Sequence, residues 1–247
     1  MPETRSTCPV FYHVPKCAGS AVAKSIEDAF GAANILRCYA EQTIDPIPDE
    51  FEFHGKAIMG HYVPWNLTWL PEGVKPLRAL IIRHPVPRTC SLYNFGVLRS
   101  QQSAVPCMDT TVYDEERVQP IPFAEWLDRS LYASESMTAY LADRLPNRWR
   151  CWRQEPYAVS GASLAKAMQI IAEADIVLAL DETRGREHSR GQIAAFCAAL
   201  GVTQPATTDY HVSPKVVDPG NVDHAAILAS NMFDMMLYEA ASARSVA

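Results

Sequence analysis

The chain has 247 residues, 48% of them hydrophobic, with 22 basic and 28 acidic side chains and a formal net charge of -6. That length buries a full core as one domain over residues 1–247, and no long Gly/Ser linker or internal repeat divides it. The acidic balance disfavours a general nucleic-acid binder, while permitting a local basic pocket for a small anion.

Met1 to Pro9 shows no basic patch leading into an apolar core, and no apolar run approaches membrane-spanning length, so no membrane span is expected. Pro9 to Val14 reads as a buried strand and Ala21 to Phe30 as a helix, with Val22, Ile26 and Phe30 on one face and Gly31 as its stop. Between them lies Pro15-Lys16-Cys17-Ala18-Gly19-Ser20. Backbone N–H groups of this turn and of the first helical turn, around Ala18 to Ala21, can close on a phosphate-sized anion, and the Ser20 hydroxyl can cap the helix.

Residues 41–54 are rich in proline and acids and read as a surface connection to the short strand Ala57-Ile58-Met59 and a turn at Gly60. Trp65 and Trp69 follow in an irregular stretch and read as core fillers. Ala79 to Ile82 is the next strand, and Arg88 to Arg99 continues as a helix after a proline-punctuated start. Ser100 to Pro122 reads as a long loop beside a substrate site. Phe123 to Arg129 and Ser134 to Leu145 read as helices, and Ser163 to Ala172 precedes the strand Asp175 to Leu180. Glu187 to Leu200 is an amphipathic helix stopped by Gly201. A Pro-rich crossing with Lys215 leads to one long closing helix, Asp223 to Ala241. Strands alternating with helices favour a parallel sheet covered on both faces.

The lysine of the first loop stands before its glycine, unlike G-x-x-x-x-G-K-[ST], where it follows the glycines. The stretch resembles instead the 5′-phosphosulfate loop of sulfotransferases that use 3′-phosphoadenosine 5′-phosphosulfate (PAPS), roughly hydrophobic-Pro-Lys-x-[GA]-G-[ST], with the carbohydrate branch the best match. A second motif of that family, an Arg at a strand end followed eight residues on by a Ser, is met by Arg83 to Ser91 directly after Ala79-Leu80-Ile81-Ile82. Motif-level resemblance covers residues 10–26, 58–62 and 80–95, and is weaker over Ala174 to Glu182 and Asn231 to Glu239. It departs at His84, where an acidic residue often follows the arginine, and at Pro87, a second proline in that turn; the adenine contacts are therefore unassigned.

The resemblance implies a P-loop-like α/β three-layer sandwich, with a central parallel sheet flanked by helices. It implies sulfuryl transfer from PAPS to a hydroxyl-bearing acceptor such as a saccharide, without a metal. Cofactor contacts would come from Lys16, Cys17, Ala18, Gly19, Ser20 and Ala21 at the 5′-phosphate, and from Arg83 and Ser91 at the 3′-phosphate; Lys215 lies in the late crossing where the family commonly returns to the nucleotide. Lys16 would stabilise charge on the bridging oxygen, and His61, in a Gly-His pair after the second strand, would be the base. Golgi members carry an N-terminal membrane anchor. Its absence here leads to the expectation of a cytoplasmic, bacterial-type enzyme or of a chain from which the anchor was removed.

Each assignment has a plainer counterpart. Arg83, at the end of a buried strand, has an internal salt bridge to a carboxylate as its competing explanation, and Arg88 can be a surface residue. His13 reads as a core or edge residue of the first strand. Cys17, near a helix N-terminus and a lysine, reads either as a reactive thiolate covered by ligand or as small packing. Arg148, Arg150 and Arg153 read as a solvated basic face, and neighbouring Trp149 and Trp152 as core fillers. Seven cysteines without a C-x-x-C pair argue for reduced thiols, and His54 and His61 have no spacing that makes a metal site. Two other functions stay open: a phosphotransferase, with Asp181 ending an apolar strand as a magnesium-associated carboxylate, and a non-catalytic nucleotide-binding module.

Overall fold

The computed structural model describes residues 7–39, 56–102, 112–114, 119–130, 133–144, 159–202 and 215–246. Its centre is a sheet of five parallel strands: β1 (Thr7–Tyr12), β2 (Ile35–Arg37), β3 (Ala57–Gly60), β4 (Lys75–Arg83) and, after a small antiparallel pair β5 (Tyr113–Asp114) and β6 (Gln119–Pro120), β7 (Ile176–Leu180). The spatial order is β2-β3-β1-β4-β7. The α-helices are α1 (Gly19–Phe30), α2 (Pro85–Gln102), α3 (Phe123–Arg129), α4 (Ser136–Arg144), α5 (Gly161–Glu173), α6 (Arg186–Ala199), α7 (His224–Ala229) and α8 (Met232–Ser242), and short 3-10 turns at Ala32–Asn34 and Pro219–Asn221 complete the described elements. The result is the expected α/β three-layer sandwich with a central parallel sheet flanked by helices.

The apolar runs become strands because both faces are covered. Val10, Phe11 and Tyr12 of β1 are at most 1% exposed, as are Leu80, Ile81 and Ile82 of β4. α1 turns Val22 and Ile26 into this core and packs on α6, while α4, α5 and α8 pack together. Trp65 is buried against Tyr12 with ring centroids 4.8 Å apart, and its indole N–H donates to Glu173 at 2.6 Å, which fits its reading as a core residue. The C-terminal segment lies along β7: Val246 N–H donates to Val177 O at 3.0 Å and Ala179 N–H to the Ser245 hydroxyl at 3.1 Å.

Three expectations change. The edge strand β2 is additional, and the helix after β4 starts at Pro85 and runs to Gln102, into the stretch read as loop. The single closing helix is two, α7 and α8, broken at Asn231. The break has a tertiary cause. Asn231 donates its amide to Ala133 O and Ile227 O and accepts from Glu135 N–H, while the Glu135 carboxylate accepts from the N–H groups of Phe233 and Asp234 at the start of α8. Asp234 answers by accepting from Met137 and Thr138 N–H at the start of α4, so α8 and the residue just before α4 each supply a carboxylate to the other helix's unsatisfied N-terminal donors.

Candidate active site

At β1 the chain changes direction across the sheet, with β2 and β3 on one side and β4 and β7 on the other. Open α/β sheets place ligands at the carboxyl ends of strands beside such a switch. Along that edge stand Tyr39 after β2, His61 after β3, His13 to Ser20 after β1, Arg83 ending β4, and Asp181 and Glu182 after β7.

The loop after β1 is bent by two non-glycine residues with positive φ, Lys16 at 62° and Ala18 at 61°. Such conformations cost about 1–2 kcal/mol each and persist where the surroundings enforce them. Two guanidinium groups do so here. Arg88 Nε donates to Pro15 O at 3.2 Å and Arg83 Nη1 to Lys16 O at 3.0 Å, drawing consecutive carbonyls to one side. Ala18 in the left-handed region followed by helical Gly19 then makes a nest, in which the N–H groups of Ala18, Gly19 and Ser20 converge. Two expected donors are otherwise engaged: Cys17 N–H donates to Val14 O at 3.3 Å and Ala21 N–H to Ala18 O at 3.2 Å. Ser20 does not cap the helix. The N-cap is Ala18, without a side-chain cap bond, because the helix begins at Gly19 and leaves Ser20 inside the first turn.

Gly19 is required by a close approach. A Cβ there would lie 2.0 Å from His13 Cδ2 and 2.3 Å from His13 Nε2. His13, 8% exposed, is therefore a wall of the loop, in addition to being the buried residue read from the sequence. Cys17 goes the other way: it is 1% exposed, with Sγ 3.6 Å from Pro15 O and 3.8 Å from Met137 Sδ, and burial pushes its thiol up despite the nearby Arg88 and Arg83. The thiolate reading is overturned by this burial, and Cys17 packs the underside of the turn.

Lys16 extends its ammonium over the Phe95 ring, 4.1 Å from the centroid; burial, then the His61 charge and then that of Lys16 hold the His13 imidazole well below its ordinary value. His61 Nδ1 is 2.6 Å from His13 O and donates to it, which leaves Nε2 as the basic nitrogen. The Tyr140 hydroxyl donates to His61 O at 2.9 Å, fixing that turn from below. The His13 and His61 rings lie 4.4 Å apart, and Tyr39 stands edge-on to both, with its hydroxyl 2.9 Å from His13 Nδ1.

Arg83 meets the carboxylate that its plainer reading required. Its Nε and Nη2 both donate to Glu182 Oε2, at 2.9 and 2.6 Å, while Nη1 holds the loop. Arg88 is a correction: at 2% exposure it is buried, donating to Ser136 Oγ at 2.6 Å with Asp234 3.9 Å away, because the Pro15 carbonyl and that carboxylate supply its partners. Ser91 is half-buried on α2, one turn before Phe95 and so on the face Lys16 reaches. Lys215 is 75% exposed and pairs with Asp218 at 3.5 Å; its segment is tied to α2 by the Asn94 amide, which exchanges two 2.8 Å hydrogen bonds with Val217. Asp181 is used locally, accepting from Thr183 N–H and hydroxyl, which hold its carboxyl below the usual range. His54, Arg148, Trp149, Arg150, Trp152 and Arg153 lie outside the described residues.

Sequence reasoning missed Tyr39, Glu182 and the placement of His13. For His13 there was a signal, since an imidazole three residues before a loop lysine at a strand end must stand near the loop. Tyr39 and Glu182 come from strand ends distant in sequence and carried none. Among the described residues no group of three or more His, Cys, Asp or Glu side chains could hold a metal ion, and no helix is long and apolar enough to cross a membrane. No family model matches the chain, and the search of curated proteins finds no match.

Proposed function

We propose that this chain is a sulfotransferase that moves a sulfuryl group from PAPS to an acceptor hydroxyl, such as one on a saccharide. The observation that carries the reading is the convergence at one sheet edge of a backbone nest opening the first helix, Lys16 in the same loop with its ammonium over Phe95, and a histidine held by a backbone carbonyl in the tautomer that leaves Nε2 basic.

In this reading His61 Nε2 takes the proton of the acceptor hydroxyl as the acceptor oxygen bonds to sulfur. The bond from sulfur to the phosphate oxygen breaks, and its electron pair leaves with that oxygen. Lys16 and the N–H groups of Ala18, Gly19 and Ser20 meet the charge that develops there. Arg83 exchanges Glu182 for the 3′-phosphate, which its planar fork suits. This reading carries with it a cytoplasmic setting, in which reduced thiols are the default.

Calorimetry with 3′-phosphoadenosine 5′-phosphate, ATP and GTP, each with and without magnesium, tests it. Metal-independent binding of the bisphosphate, with sulfated product formed from PAPS and a saccharide mixture, supports the sulfotransferase. Magnesium-dependent ATP or GTP binding with phosphoryl transfer overturns it in favour of a phosphotransferase, and binding without turnover in favour of a non-catalytic module.

A further inference from the structure

His13 lies at the centre of the site, with the Cδ2–Nε2 edge of its ring against Gly19 and Nδ1 2.9 Å from the Tyr39 hydroxyl. Which of these two groups donates is decided by the phenol. Among the described residues that hydroxyl meets His13 Nδ1, and a half-buried phenol O–H that faces a ring nitrogen gains a hydrogen bond by donating to it. Tyr39 therefore donates, Nδ1 accepts, and the ring proton resides on Nε2. Both groups stay neutral. Burial, ahead of the neighbouring hydroxyl of Tyr140, pushes the Tyr39 phenol up, and burial, followed by the charges of His61 and Lys16, holds His13 well below its ordinary value.

The two histidines thus carry opposite tautomers, each fixed by a different partner. His61 gives its Nδ1 proton to the His13 carbonyl and keeps a basic Nε2, whereas His13 accepts at Nδ1 and keeps an Nε2–H. Their rings are 4.4 Å apart, so an imidazole with a basic nitrogen stands beside one that carries a donor N–H.

Resting on the anion-loop reading above, the geometry points to His13 as a second ligand-binding residue: its Nε2–H, oriented by Tyr39, donates to an oxygen of the oxyanion seated on the first turn of α1. The contribution differs in kind from that of Lys16. A neutral, directed donor fixes where an oxyanion oxygen lies, while the ammonium supplies charge from a flexible stem. Tyr39 touches no ligand in this assignment and is a positioning residue.

Side-chain 15N–1H correlation spectra of the full chain test the tautomers directly. His13 should carry its proton on Nε2 and His61 on Nδ1, and in Tyr39→Phe the His13 signal should move toward the mixed-tautomer average. In calorimetry with 3′-phosphoadenosine 5′-phosphate, His13→Phe should weaken binding about tenfold, Tyr39→Phe about threefold, and His13→Gln, which retains an N–H near the Nε2 position, less than either. A His13 proton on Nδ1 overturns the assignment, as does His13→Phe binding the bisphosphate as tightly as wild type. Failure of the wild-type chain to bind removes the loop reading and this inference together, whereas wild-type binding that His13→Phe leaves unchanged removes this inference alone. Should His13→Phe not fold, the wild-type and Tyr39→Phe spectra decide.

Discussion

Arg83, at the end of β4, donates through Nη1 to the main-chain carbonyl of Lys16 at 3.0 Å, so a side chain from one strand sets the backbone of the loop that follows its neighbour. The same guanidinium holds Glu182 through its other two nitrogens, so one residue shapes the loop after β1 and, in the proposed function, also meets the 3′-phosphate. These two duties separate experimentally.

Arg83→Ala should weaken 3′-phosphoadenosine 5′-phosphate about thirtyfold and adenosine 5′-phosphate only about threefold, because the first ligand alone carries the 3′ charge. Calorimetry with both ligands checks this. Equal losses would assign Arg83 to the loop and remove it from the 3′-phosphate. Glu182→Gln, by removing the competing carboxylate, should hold or raise the affinity for the bisphosphate.

His61→Asn conserves much of the shape of the side chain while removing the basic nitrogen. Turnover should fall by about two to four powers of ten with bisphosphate affinity retained, as expected when a general base is lost without disturbing binding. Turnover at the wild-type rate in a single-turnover assay would leave His61 a structural residue.

Gly19 and His13 should be coupled in stability, since a Cβ at position 19 would fall 2.0 Å from His13 Cδ2. Gly19→Ala alone should lower the unfolding free energy by about 1–3 kcal/mol, the usual range for forcing atoms into a packed site. In the His13→Ala background the same change should cost far less. Urea unfolding of the four chains of this cycle measures the coupling, and an additive result would mean that the loop relaxes freely around the new methyl.

The buried imidazole also predicts acid sensitivity. His13 is held well below its ordinary 6.5, chiefly by burial, so below that pH the unfolded chain binds a proton that the folded chain refuses. Stability should therefore fall as pH drops from about 6.5, by up to ~1.4 kcal/mol per pH unit for each such histidine. His84, lowered chiefly by burial, adds to the slope in the same window. His13→Gln should remove one share of it. Urea unfolding between about pH 7.5 and pH 5.5 gives the comparison, and identical slopes for the two chains would show that His13 titrates normally.

The sequence alone determined the elements whose signal is local. Period and apolar content marked β1, β4, β7 and α3, and the alternation of strands with helices predicted a parallel sheet covered on both faces. The Pro15–Ser20 turn and the strand-end position of Arg83 were legible for the same reason, since composition at a strand end is a short-range property. The break between α7 and α8 was not, because both halves read as helix and the residue that caps α8 is Glu135, 98 positions before Phe233 in the chain. Only the tertiary structure decided that Glu182 faces Arg83, that Tyr39 fixes the His13 ring and that Arg88 is buried beneath the loop. A parallel sheet places every strand's carboxyl end on one edge, and there residues far apart in sequence become neighbours whose hydrogen bonds no local pattern encodes.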